Sequence, residues 1–185
     1  MPGKPGSSAA AVLADAVQRA RAEGTSQISE EHLFAALLAN PDSQQLLGQL
    51  AGPDETEAVW AEVHQGRRRG GVSVAQQQAL AGLGIDLDEV VARVEAQLGN
   101  GALTDGPRAA GRRRWRTSMS PDAVAAVNAA QRQKAARGDR SLTAQHLVLG
   151  LLAGPGLVGD TLRSRGITVA SALQVMDGGG PPVAR

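Results

Sequence analysis

Ile28-Ser29-Glu30-Glu31-His32-Leu33-Phe34-Ala35-Ala36-Leu37-Leu38-Ala39-Asn40-Pro41 returns 114 residues later as Leu142-Thr143-Ala144-Gln145-His146-Leu147-Val148-Leu149-Gly150-Leu151-Leu152-Ala153-Gly154-Pro155. The punctuation returns with it. Gly24 pairs with Gly138 at the same offset, and Ala39-x-Pro41 and Ala153-x-Pro155 break the two copies together. A duplicated supersecondary unit is the economical explanation.

Each copy reads as two helices. Ser29 and Thr143 are N-caps, and behind them run the stripes Leu33, Leu37, Leu38 and Leu147, Leu151, Leu152, each closed by a proline. The leading helix of the first copy spans Ala9 to about Ala22, with Ala9, Val12, Leu13, Ala16, Val17 and Ala20 on one face and Gly24 as its stop. Its counterpart has Ser120 as N-cap, Pro121 at the first helical position, the stripe Val124, Val127, Ala130, and Gly138 as its stop. Gln131 and Lys134 make that second stripe more polar.

Between the copies the pattern loosens. Gly52-Pro53-Asp54 turns into a short helix from Glu55 to about His64, and Gln65 to Gly71 reads as a loop. Ser73 caps a helical stretch to Leu80. Asp86, with Glu89 three residues on, forms a capping box for a helix to Leu98 carrying Val90, Val91 and Val94. Gly84-Ile85-Asp86 is similar to Gly166-Ile167-Thr168, so each copy is expected to finish on a like closing helix. The organisation is therefore a tail at 1–7, a first repeat with inserted and closing helices at 8–98, a Gly/Arg-rich linker at 99–118, a second repeat at 119–176 and a tail at 177–185. The fold class is all-α: two pseudo-repeated helical units joined by an extended linker.

Composition narrows the chemistry. The 185 residues contain no cysteine, which removes disulfides and thiol catalysis, and only Phe34, Trp60 and Trp115 are aromatic. The core must then be Ala, Leu and Val, which suits closely packed helices. Met1 to Ser8 has no apolar run of the signal-peptide kind, and no segment approaches the ~20 apolar residues of a membrane span; the expected location is the cytoplasm. Lys4 and Lys134 are the only lysines, and Gly3-Lys4-Pro5 lacks the upstream glycine and following Ser/Thr of a phosphate loop, so ATP hydrolysis is not expected. No His/Cys/carboxylate spacing suggests a metal or other cofactor, and the expected protein is not an enzyme.

The duplicated phrase resembles the N-terminal repeat domain of ClpC- and ClpA-type unfoldases, which carry a Gly, a short loop and an Ile-Gly-Thr-Glu-His-Leu-Leu-Leu-Gly-Leu-Leu type helix twice. Met119-Ser120-Pro121 stands where that family often has Phe-Thr-Pro, and Arg165-Gly166-Ile167-Thr168 is similar to its Leu-Gly-Val-Asp. The resemblance covers roughly residues 8–51 and 119–176, and the 99–118 segment separates the copies further than a compact double repeat does. It implies a stand-alone bacterial module without ATPase units that binds proteins: an adaptor, a substrate-capture factor or a decoy in Clp-dependent proteolysis. The implied partners are a Clp ATPase, its adaptors or substrates, some of them arginine-phosphorylated, and cyclic-peptide ligands.

The candidate partner-binding surface is the groove between the repeats, bordered by Ser29, Glu30, Glu31 and His32 on one side and Thr143, Ala144, Gln145 and His146 on the other. The resemblance adds phosphoarginine recognition, since Glu31 matches the Glu of the Thr-Glu-His motif. Gln145 removes that charge in the second copy, and Glu30 and Ala144 replace both threonines. Helix-start stabilisation by Glu30 and Glu31 competes with that role, as N-terminal capping by His32 and His146 competes with any chemistry for the histidines. The alternative function is a nucleic-acid-associated regulator using Arg67-Arg68-Arg69 and Arg112-Arg113-Arg114-Trp115-Arg116. Against it, residues 52–118 balance nine arginines with nine acids.

Overall fold

The computed structural model describes residues 9–25, 27–68, 71–98 and 118–178. The tail at 1–7, linker residues 99–117, Arg69, the run Arg112 to Arg116 and residues 179–185 of the C-terminal tail lie outside the described residues.

Helices α1 (Ala9–Ala22) and α2 (Glu30–Ala39) form a hairpin, and α7 (Pro121–Arg137) and α8 (Ala144–Ala153) repeat it. After each hairpin comes a short helix, α3 (Pro41–Ala51) or α9 (Leu157–Ser164), and then a further one, α4 (Pro53–Arg68) or α10 (Val169–Met176). The two sets exchange partners: α4 packs on α9 of the second copy, while α10 packs on α3 of the first. Backbone pairing crosses in the same way. Strand β1 (Gln27–Ile28) lies parallel to β2 (Ser118–Met119), the Ser120 amide donates to the Ile28 carbonyl at 2.8 Å, and the Ala9 amide donates to the Leu142 carbonyl at 3.2 Å. One core, including Phe34, Leu37, Leu47, Val59, Leu149 and Leu162, runs through both copies. It buries apolar surface from each against the other, the main favourable contribution to folding.

The hairpins differ in closeness. At Gly150 a Cβ would come within 2.2 Å of the Ala126 carbonyl oxygen and 2.8 Å of the Ala130 Cβ, so α7 and α8 touch backbone to backbone. This corrects the expected stripe of α7: Ala123, Ala126, Ala129 and Ala130 are its buried residues, while Val127 is half-buried and Val124 is 42% exposed. Alanine wins because the approach leaves no room for a branched side chain.

Two boundaries also move. Helix α4 runs to Arg68, through residues expected to be loop, because Gly66 fits against the Leu157 methyl groups and Arg67 reaches Glu23 with Nη1 3.3 Å from Oε2. The place of α10 is taken in the first copy by α4. Gly52 and Gly166, 114 residues apart, open the two helices with φ of 81° and 77°. Helices α5 (Val74–Gly82) and α6 (Leu87–Leu98) are then additional, touching the body chiefly where α5 meets α9. Ser73 caps α5 as expected and forms with Gln76 a box that was not expected there, while at the start of α6, where the box was expected, Asp86 accepts from the Asp88 and Glu89 amides. Leu83 is 78% exposed at the tip between them.

Candidate functional site

Both expected helix starts form, and both use histidine in the same way. The Ser29 amide donates to Nδ1 of His32 at 3.0 Å, and the Thr143 amide to Nδ1 of His146 at 3.2 Å. With Nδ1 accepting, the neutral ring carries its hydrogen on Nε2, which faces Glu23 Oε2 at 3.1 Å in the first copy and Asp139 Oδ2 at 2.9 Å in the second. An arginine completes each set: Arg67 beside Glu23, and Arg137 3.4 Å from Asp139. Hydroxyl, imidazole and carboxylate are thus aligned at both places, yet the lone pair that a general base would offer the hydroxyl is occupied by the N-cap amide. Both rings are buried. The arrangement is a capping device that ties each helix start to the preceding loop.

The acidic residues part company. Glu31 is half-buried, accepts from the Ser29 hydroxyl at 2.5 Å and lies 3.9 Å from Arg67 Nη1. Glu30 points the other way, 5% exposed, and its Oε1 accepts from the amide of Val158 at 3.1 Å. That amide belongs to the first turn of α9, whose own N-cap position is Gly156 and supplies no side chain. Glu30 is therefore the cap of a helix in the other copy. The equivalent helix α3 is capped locally, Asn40 accepting from the amides of Asp42 and Ser43, and the residue equivalent to Glu30 is the buried Ala144. Gly156 is required here: its φ is 127°, and a Cβ would stand 2.3 Å from Glu30 Oε2.

Burial pushes the Glu30 carboxyl up to about 7. The charges of Glu31 and Asp122 add to the rise, and the amides of Val158 and Leu157 oppose it. Of the eight expected surface residues, Glu30, His32, Ala144 and His146 are buried; Ser29, Glu31, Thr143 and Gln145 are half-buried. Sequence reading missed Glu23 and Asp139 as histidine partners, because seven to nine residues of turn separate them from the rings.

A concave surface lies elsewhere, in the first copy. Leu38, Gln44, Gly48, Thr56, Glu57 and Trp60 line a groove of about 290 Å³ formed by α2, α3 and α4. Trp60 is held from behind by Phe34, ring centres 5.9 Å apart, and from the side by His64 at 4.2 Å. Glu57 sits at the wall without an ion pair among the described residues, whereas its neighbours Glu55 and Glu62 are both taken by Arg165. The sequence signal was available: Thr56, Glu57 and Trp60 share one face of α4 at helical spacing.

Among the described residues no group of three or more His, Cys, Asp or Glu could hold a metal ion, and no helix is long and apolar enough to cross a membrane. No curated protein matches the chain. Residues 4–66, which take in α1 to α3, most of α4 and every residue lining the groove, match the family model of the Clp repeat (R) N-terminal domain. Over that segment, about a third of its 185 residues, the chain is similar to the Clp repeat N-terminal domain.

Proposed function

We propose that this protein is a non-catalytic, cytoplasmic protein-binding module that receives an extended peptide segment in the Trp60 groove. The observation that carries the reading is the groove itself, an apolar concavity inside the segment that matches a domain family whose members generally bind substrates and adaptors. At about 290 Å³ it is at the small end for a ligand site and suits two or three side chains rather than a large cofactor. Leu38 and Trp60 favour an apolar anchor, and the Glu57 carboxylate, without an ion pair among the described residues, favours a Lys or Arg beside that anchor. In a Clp setting such a module serves as an adaptor, a substrate-capture factor or a decoy.

The test uses the Trp115→Phe protein, which leaves Trp60 as its one tryptophan. Titration with peptides carrying an apolar-basic pair should shift Trp60 emission, with weaker binding when the basic residue is replaced by Glu, and Glu57→Gln should narrow that difference. Peptide binding that is the same in Trp60→Ala, measured by calorimetry, would remove the groove from the reading.

One observation favours a second contact at the helix starts. Arg67 already rests its guanidinium between Glu23 and Glu31, which supports reading this surface as one suited to an arginine side chain. An arginine or phosphoarginine on a substrate would compete for that place, and Glu31→Ala should then weaken only arginine-bearing peptides. The same pairing engages Arg67 within the chain, which leaves it less free for nucleic acid; strongly salt-dependent binding to DNA or RNA would reverse that judgement.

A further inference from the structure

We infer that Glu30 is a proton-operated latch between the two copies: seated on the first amides of α9, its neutral carboxyl holds that helix start against α2, and ionisation favours release of the contact. The geometry supplies a seat and its occupant. The seat has been emptied to receive the group, since Gly156 offers neither a capping side chain nor a Cβ that would fit. The occupant comes from 128 residues away, so the bond joins the copies rather than bracing one helix.

The surroundings make the seat sensitive to charge. Glu31 on the same helix and Asp122 in the first turn of α7 both disfavour a second negative charge there, while α9 meets the carboxyl with the amides of Val158 and Leu157. Asp160 in the first turn of α9 is paired with Arg163, and on α1 Asp15 is paired with Arg19. On α3, Asp42 stands in the first turn. Helix α8 has no Asp, Glu, Lys or Arg, and its His146 is bonded to Asp139.

The direction follows from linkage. A solvated Glu30 would titrate at the ordinary 4.5, and the seated one titrates near 7. The seated state therefore keeps its proton through a pH range in which the released state loses it. Raising pH from 5 to 8 then shifts the balance toward release, on the order of a hundredfold.

Hydrogen exchange on the full chain tests this. After correction for the intrinsic pH dependence of exchange, protection of the Leu157 and Val158 amides should fall on the order of a hundredfold between pH 5 and pH 8, and much less at Leu149 or Leu151 in α8. Glu30→Gln should flatten the profile. Asp122→Asn, an exposed change that leaves the seat intact, should move the midpoint to lower pH. Profiles for Leu157 and Val158 that are the same in Glu30→Gln, or that do not move in Asp122→Asn if the first variant fails to fold, would overturn the latch.

Discussion

A histidine at the third position of a helix can cap locally and reach outward at once, and His32 and His146 do both. Replacing His146 with alanine removes the acceptor for the Thr143 amide and the donor to Asp139 in a buried place, and should cost about 2 kcal/mol. His146→Gln can still reach back to the cap amide, so thermal or urea denaturation should show roughly half that loss. Equal losses in the two variants would mean that the Asp139 bond alone matters. Gly156 gives a sharper case. Alanine there must adopt a left-handed φ and meet the Glu30 carboxyl, and should destabilise by about 2–3 kcal/mol or more. The double variant with Glu30→Ala should recover the steric part and leave the backbone part, a coupling readable from a double-mutant cycle.

Helix pairs show why some elements were legible and others were not. The bounds of α1, the caps of α2, α5, α7 and α8, and the stops at Gly24 and Gly138 could be read because they depend on residues within one or two turns. The inner face of α7 could not, since Gly150 on a different helix decides whether alanine or valine fits there. Gly150→Ala should accordingly destabilise by about 1–3 kcal/mol, even though alanine is the better helix former and Ala36 holds the equivalent position in α2. A gain in melting temperature would contradict the backbone contact of α7 with α8. The same limit applied to the site. The helix starts were visible as motifs, but whether a Glu faces solvent or the other copy depends on packing, and so Glu31 stayed near the surface while Glu30 went inside. Only the α4 wall of the groove, Thr56, Glu57 and Trp60, was legible, because the rest of its lining comes from two other helices.

At the scale of the molecule the two copies are joined by exchange: α4 on α9, α10 on α3, crossed backbone bonds at Ile28 and Leu142, and Arg165 held by Glu55 and Glu62. In the Trp115→Phe protein, unfolding followed by Trp60 emission, in the first copy, should therefore coincide with unfolding followed by methyl signals of Leu149 and Leu152 in the second; separate transitions would mean that the copies fold alone. Stability should also fall as pH rises from about 4.5 to 7, because the seated Glu30 keeps its proton longer than the unfolded chain does, with a total effect of about 3 kcal/mol. The claim that bears most on function is that peptides enter the Trp60 groove. Its most direct test is a map of backbone amide shifts on the full-length protein as an apolar-basic peptide is added. The account predicts shifts centred on Leu38, Gly48, Thr56 and Trp60; shifts centred on Glu31 and Gln145, with the groove unchanged, would contradict it.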